Sequence, residues 1–227
     1  MGVAPDIINY KVKNGQQDRV METTERKLTE TEQRRKEIYE KLSEKMKEQG
    51  YTEKKLLVSI SEANKTGVCS MLPFMAVILL LYYYINRTEL LSMELFIWQL
   101  PFTLLLTVVH ELIHGITWGI FAKKHFQSIN FGVIWKMLTP YCHCSEPLKK
   151  WQYVLGAAMP TLVLGAGLGV VAIMTGNLMC LYLAEFMTLG GGGDFLIIVQ
   201  ILRYRTDKKE QVYYDHPYEC GVVVFEK

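Results

Sequence analysis

The sequence predicts an all-α polytopic membrane protein, in which about four transmembrane helices follow a charged N-terminal helix. Half of the 227 residues are hydrophobic and only 21% are charged. The charged residues are concentrated in 1–66, whereas long apolar runs occupy 67–202. We therefore expect a cytoplasmic, charged helical region at 1–66, a four-span domain at 67–202 and a cytoplasmic tail at 203–227.

The N-terminal region contains one strongly predicted helix. From Thr24 to Gln49 the chain is rich in Glu, Lys, Arg and Gln, which favour helices, and Gly50 is suited to end the helix. A thin apolar stripe recurs at four-residue spacing, at Ile38, Leu42 and Met46. The pattern indicates a solvated helix near the membrane, and a partner-binding coiled-coil segment is the alternative.

Four apolar segments approach the length of about 20 residues that a helix needs to cross a bilayer. They lie near 67–85, 95–122, 152–174 and 178–202. The short turn at 175–177 predicts that the last two form an antiparallel hairpin. Lys and Arg concentrate before the first span, in the 123–151 connection and after the last span. This asymmetry predicts a multi-pass protein of the cell membrane with both termini in the cytoplasm.

Charge and cysteine content exclude two classes of protein. A formal net charge of +2, with both signs evenly mixed, excludes nucleic acid as the expected partner. The five cysteines are odd in number and irregularly spaced, which argues against a secreted disulfide framework.

The second predicted span carries a metal-binding pattern, from His110 to His114, with Glu111 after the first histidine. Residues four apart on an α-helix project from nearly the same face, so both imidazoles can reach one ion. Zn²⁺ accepts neutral histidine nitrogens, and a Glu at this position can take a proton from a water at the metal. We predict a Zn²⁺ site with Glu111 as catalytic base. The alternative is an interhelical hydrogen-bonded cluster without a metal.

A third zinc ligand must come from another span. Asp194 is the best candidate, because it follows four glycines and precedes the apolar run 195–202. At about 1.5 Å per residue, Asp194 lies at roughly the depth of His110 and His114. Glu185 is the rival ligand, but nine residues earlier it would face the opposite side of a straight helix.

These motifs resemble the site-2 protease superfamily of intramembrane zinc metalloproteases. Over roughly 95–220, the chain resembles more closely an uncharacterised bacterial family of predicted membrane zincins. The shared segments are His110 to Gly115, Thr139 to Cys144, and Gly193 with Asp194. The resemblance implies that His110, His114 and Asp194 bind zinc and that Glu111 activates water for attack on a peptide carbonyl. Site-2 proteases typically carry Gly where Phe195 stands, which bears on substrate engagement more than on metal binding.

The connection between the second and third spans contains Cys142-His143-Cys144. These residues could hold a second zinc if loop and tail meet, with further ligands from His125, His216 and Cys220. The commoner readings are a loop that covers the active site, or a short β hairpin built from Ile129 to Met137. Segment 128–133 could then offer an edge to an extended substrate, and Asn130 could stabilise an oxyanion.

The leading prediction is an intramembrane zinc metalloendopeptidase that acts on a membrane protein or peptide in the lipid bilayer. The alternative is a metal-binding membrane scaffold or adaptor without peptidase activity. A transporter is a weaker reading, because no pair of broken helices is evident.

Overall fold

The computed structural model describes residues 28–134 and 139–227. In chain order its helices and strands are α1 (Glu30–Glu48), β1 (Thr52–Leu57), α2 (Ile60–Asn86), α3 (Met93–Phe121), β2 (Ile129–Ile134), β3 (Thr139–Cys144), β4 (Leu148–Lys149), α4 (Lys150–Pro160), α5 (Leu168–Thr175), α6 (Leu178–Gly190), α7 (Gly192–Arg203), β5 (Gln211–Asp215) and β6 (Gly221–Glu226). A short 3₁₀ turn, His125–Ser128, precedes β2, and a π-helical segment, Thr161–Gly167, joins α4 to α5.

Within the described residues, three helical stretches are long and apolar enough to cross a membrane, Lys65–Asn86, Ile97–Phe121 and Lys150–Thr175. A fourth results if α6 and α7, which meet at an angle of 44°, form one bent span. These stretches correspond closely to the four predicted spans. Their outer faces expose large apolar side chains, as at Leu80 and Leu104, while His110 and His114 are buried. This distribution suits a lipid environment.

Glycines allow the apolar helices to approach each other closely. Gly67 of α2 lies against Gly192 of α7, where a Cβ on Gly192 would come within 2.8 Å of the Gly67 backbone. Gly165 lies against Thr188 of α6, where an added Cβ would come within 2.6 Å of Oγ1. Gly165 thus allows close packing against α6, and the break between α6 and α7 falls within the run of four glycines that precedes Asp194.

The prediction of an all-α protein is wrong, because the described residues include a four-stranded antiparallel sheet in the order β1-β6-β5-β4. Val222 to Phe225 are fully buried in β6, which lies between β1 and β5. A strand buried on both faces reads as a continuous apolar run rather than an alternating one, so the tail lacks the usual strand pattern. The sheet pairs residues 52–57 with residues 221–226.

The two faces of this sheet pack against different parts of the protein. Val222 and Val224 pack towards Trp118, Tyr153 and Ile201 of the apolar helices. Alternate residues project to opposite faces of a strand, so Val223 and Phe225 face the other way. There they pack against Tyr39 and Met46 of α1, with Tyr214 and the half-buried Leu42. The sheet thus joins α1 to one end of the helical bundle.

Helix α1 therefore packs on the four-stranded sheet and is not the fully solvated helix that the sequence indicates. It begins with a capping box, in which the Thr29 hydroxyl accepts from the Glu32 backbone at 3.3 Å and the Glu32 carboxylate accepts from the Thr29 backbone at 2.9 Å. The buried stripe runs through Tyr39, Ser43 and Met46, and Ile38 is 40% exposed. The predicted start at Thr24 lies outside the described residues.

Strands β2 and β3 form the hairpin that the sequence predicts, although the strands extend beyond the predicted stretch. Ile129 pairs with Cys144, and Ile134 pairs with Thr139. The stretch predicted as a hairpin, Ile129 to Met137, supplies β2, and its end lies outside the described residues. The hairpin packs on the glycine side of α3, where a Cβ on Gly115 would lie within 3.0 Å of Ile129. The absence of a side chain at Gly115 therefore allows the hairpin to pack closely against α3.

We predict that Gly192→Ala destabilises the fold and that Gly193→Ala does not. The first methyl would meet the Gly67 backbone at 2.8 Å, while no atom lies within 4 Å of the second among the described residues. Overpacking typically costs about 1–3 kcal/mol, whereas Ala in an open helical site gains up to about 1 kcal/mol over Gly. Thermal unfolding of the two detergent-purified variants measures the difference. Equal midpoints would contradict the proposed close approach of α2 and α7.

Candidate metal centre

Three side chains from two helices converge at one point of the bundle. His110 and His114 lie one turn apart on α3, and Asp194 lies in the first turn of α7. Asp194 Oδ2 lies 3.2 Å from His110 Nε2 and 3.3 Å from His114 Nε2. The two Nε2 atoms are 3.2 Å apart. This is the one group of three potential ligands that the described residues bring together.

The dimensions of this triangle fit a tetrahedral zinc ion. Zinc binds His nitrogen and carboxylate oxygen at about 2.0–2.2 Å, and a regular tetrahedron with such bonds has ligand–ligand edges of about 3.3–3.6 Å. The observed edges of 3.2, 3.2 and 3.3 Å are close to that length. Three protein ligands would leave the fourth position open, as in catalytic zinc sites. The donor set therefore fits zinc in kind, number and spacing.

A backbone carbonyl fixes the orientation of His114. Its Nδ1 lies 2.9 Å from the Gly156 oxygen of α4. A carbonyl oxygen can only accept, so Nδ1 carries the proton and donates, and the lone pair on Nε2 is directed at the other two ligands. Such an outer hydrogen bond is a common support of metal-bound histidine.

Trp118, four residues after His114 on α3, completes the packing around this histidine. The indole stacks on the His114 ring with centroids 4.9 Å apart and an angle of 15° between the planes. Its Nε1 donates to the Tyr153 carbonyl of α4 at 3.2 Å. A side chain on Gly156 would overlap the Trp118 ring. Gly156 therefore lets α4 approach close enough for its carbonyl to reach His114.

Glu111 lies beside the histidines and faces the hairpin. Its half-buried carboxylate lies beside the backbone N–H of Cys142 in β3. The β hairpin expected from the sequence therefore lies beside the candidate site, next to Glu111. The strand edge beside Glu111 belongs to β3, whereas the sequence pointed to segment 128–133.

The N-terminus of α7 provides a favourable position for Asp194. A helix N-terminus carries partial positive charge from its unpaired N–H groups, which stabilises a carboxylate in the first turn. The break at Gly191 turns α7 by 44° from α6, so that this helix end lies at the level of His110. Glu185, the rival ligand on α6, is not part of the group.

Two further suggestions from the sequence are not supported. Asn130 is exposed, and its amide donates to Ser145 Oγ at 2.7 Å, so it does not point at the metal centre. Cys142, His143 and Cys144 lie on one strand, where alternate side chains face opposite ways. Burial, and to a smaller extent the negative charge of Asp215, raises the pKa of the Cys144 thiol to about 12. The described residues therefore form no second metal group from this loop.

Comparison with known proteins supports the chemistry of this site. Residues 103–208, just under half of the chain, match a family described as "putative zincin peptidase". The match supports a zincin family. It implies a metallopeptidase that uses zinc, and the matched stretch contains His110, Glu111, His114 and Asp194. No curated protein and no solved structure matches the chain.

Sequence reasoning missed most of the groups that surround His114 and Glu111. The Gly156 carbonyl and the Cys142 N–H belong to the backbone, and no side-chain pattern reports them. Trp118 did leave a signal, because it follows His114 by four residues and so shares its face of α3. Asp215, which contacts both α4 and β3, lies in the tail, for which the sequence predicted no strand.

We predict that the fold loses stability as the pH falls from about 6.5 to about 4. Burial lowers the pKa of both His143 and His216 to about 4. An unfolded histidine has a pKa near 6.5, so the unfolded chain binds more protons than the folded chain throughout this window. Falling pH therefore lowers the free energy of unfolding. Thermal unfolding at a series of pH values measures the effect.

The control for this prediction is a third histidine, His125, which is exposed. The double variant His143→Gln, His216→Gln should show a shallower decline in unfolding temperature than the wild type. His125→Gln should show the wild-type decline. Parallel curves for the double variant and the wild type would contradict the assignment.

Proposed function

We propose that this protein is an intramembrane zinc endopeptidase, with His110, His114 and Asp194 as ligands and Glu111 as general base. The observation that carries the proposal is the triangle of 3.2, 3.2 and 3.3 Å formed by three ligand atoms in apolar helices. Ionisable groups cost about 2.5–3.5 kcal/mol each at the centre of a membrane helix. A cluster of this kind therefore indicates a function rather than a packing preference.

Each residue has a defined part in the proposed reaction. Zinc, when bound, supplies a Lewis acid that polarises the substrate carbonyl and makes water a better nucleophile. Glu111 takes the proton of the attacking water and passes it to the leaving amine. The Gly156 carbonyl holds His114 in the tautomer that a ligand needs, and the Cys142 N–H orients Glu111.

The proposed substrate is an extended segment of a membrane protein or peptide. A substrate segment must be extended for its peptide bond to reach both the base and the metal ligands. Strand β3 lies beside Glu111, where an extended segment could pair with it. Phe131 and Val133 on β2 are 52% and 40% exposed, which favours an apolar substrate. We place the site in the cytoplasmic half of the cell membrane, with both termini in the cytoplasm.

Glu111→Gln is the direct test of the proposed base. The amide cannot take a proton, so hydrolysis should fall by about 10²–10⁴-fold while zinc content stays at the wild-type level. The assay is cleavage of casein, an unfolded model substrate, by the zinc-loaded protein in detergent. Glu185→Gln is the matched control, because it removes a carboxylate of α6 that is not part of the ligand group.

Full activity in Glu111→Gln would contradict the role of Glu111. Equal loss in Glu185→Gln would show that the effect is not specific to the site. A zinc-loaded wild type that cleaves neither casein nor membrane-segment peptides would favour the scaffold function.

A further inference from the structure

One carboxylate of the four-stranded sheet contacts both elements that support the metal centre. Asp215 lies on β5, beyond the stretch 103–208 that matches the zincin family. Its Oδ2 accepts from the Cys144 backbone N–H of β3 at 2.9 Å, and its Oδ1 accepts from the Tyr153 hydroxyl of α4. His143 Nδ1 lies 3.7 Å from Oδ2. The Asp215 side chain is only 14% exposed, which strengthens these interactions relative to water.

The contact with β3 leads to Glu111. In an antiparallel pair, residues two apart direct their N–H groups to the same side of the strand. Cys142 and Cys144 are two apart. The Cys144 N–H donates to Asp215, and the Cys142 N–H lies beside the Glu111 carboxylate. One edge of β3 is thus held between the proposed base and a carboxylate of the sheet. A shift of β3 at Cys144 would therefore also move the Cys142 N–H that lies beside Glu111.

The contact with α4 leads to His114. The hydroxyl of Tyr153 donates to Asp215, while the carbonyl of the same residue accepts from Trp118 Nε1 at 3.2 Å. Three residues later, the Gly156 carbonyl accepts from His114 Nδ1 at 2.9 Å. All of these groups lie within one turn of α4. The position of this turn therefore sets both the carbonyl and the indole that hold the His114 ring.

We propose that Asp215 is a positioning residue of the metal centre, which holds β3 against Glu111 and α4 against His114. The inference rests on the proposed function, since it assumes that these residues form a zinc site. It assigns a part in that site to the sheet that follows the matched stretch. A carboxylate suits the role because its two oxygens accept from two elements at once, which an asparagine cannot do in the same geometry.

The test measures zinc affinity, which needs no substrate. The full-length chain in detergent is titrated with zinc against a chelator, and Co²⁺ in place of zinc reports the coordination geometry through its visible absorption. Loss of an outer-shell partner typically weakens metal binding about 10–100-fold. We expect Asp215→Ala to weaken zinc binding by about tenfold or more and to change the Co²⁺ spectrum. Asp215→Asn, which keeps one acceptor oxygen, should lie between Asp215→Ala and wild type.

Glu226→Gln is the matched control for a loss of sheet stability. Glu226 lies in β6 of the same sheet, is 5% exposed, and accepts from the hydroxyl of Tyr204 at 2.9 Å. It is thus a second buried carboxylate with a tyrosine partner. Glu226→Gln should lower the unfolding temperature and leave the zinc affinity and the Co²⁺ spectrum unchanged. If Asp215→Ala and Glu226→Gln weaken zinc binding equally, Asp215 acts only through the general stability of the sheet and the proposal is wrong.

A second measurement separates the two routes. Tyr153→Phe removes one hydroxyl, and with it the hydrogen bond to Asp215. If Asp215 acts through α4, this change should weaken zinc binding several-fold in the wild type and have no further effect in Asp215→Ala. Additive effects would contradict the route through α4.

The outcomes for Asp215 and for the zinc site can be told apart. A wild type that binds no zinc at His110, His114 and Asp194 would overturn the proposed function itself. A wild type that binds zinc, with Asp215→Ala binding it equally and with the same Co²⁺ spectrum, would overturn only the role of Asp215.

Discussion

The structure depends on bringing two histidines and a carboxylate together inside apolar helices. His110, His114 and Asp194 could each be hydrated in water, but in a bilayer they must satisfy one another or a metal. Their ligand atoms lie 3.2–3.3 Å apart, so α3 and α7 are fixed at one relative height. A displacement of either helix by one residue would separate the group. The remaining features of the bundle can be understood as ways of meeting this requirement.

Glycines and a broken helix make that arrangement sterically possible. The break at Gly191 places the start of α7, with its partial positive charge, at the level of the histidines. Gly192 lets α7 touch α2, and Gly156 lets α4 bring a carbonyl to His114. On a neighbouring face of α3, Gly115 lies against the hairpin that reaches Glu111. Small residues here determine where backbone groups lie, which is a role beyond helix packing.

The sequence was informative where chemistry and periodicity coincide. The four apolar segments, the spacing of His110 and His114, and the choice of Asp194 over Glu185 all follow from helix geometry and from the cost of charge in an apolar segment. The four-stranded sheet was missed because β6 is buried on both faces and shows no alternation. Val222 to Phe225, β-branched and aromatic, were the available signal. The Gly156 carbonyl and the Cys142 N–H could not be predicted, because they are backbone groups that the tertiary fold brings to the site.

The most direct test of this account is the zinc content of the detergent-purified protein, determined by elemental analysis. The wild type should hold about one zinc per chain, and the double variant His110→Ala, His114→Ala should hold none. A control variant, His216→Ala, removes a buried histidine outside the ligand group and should keep its zinc. Equal zinc in the wild type and in His110→Ala, His114→Ala would contradict the metal centre described above.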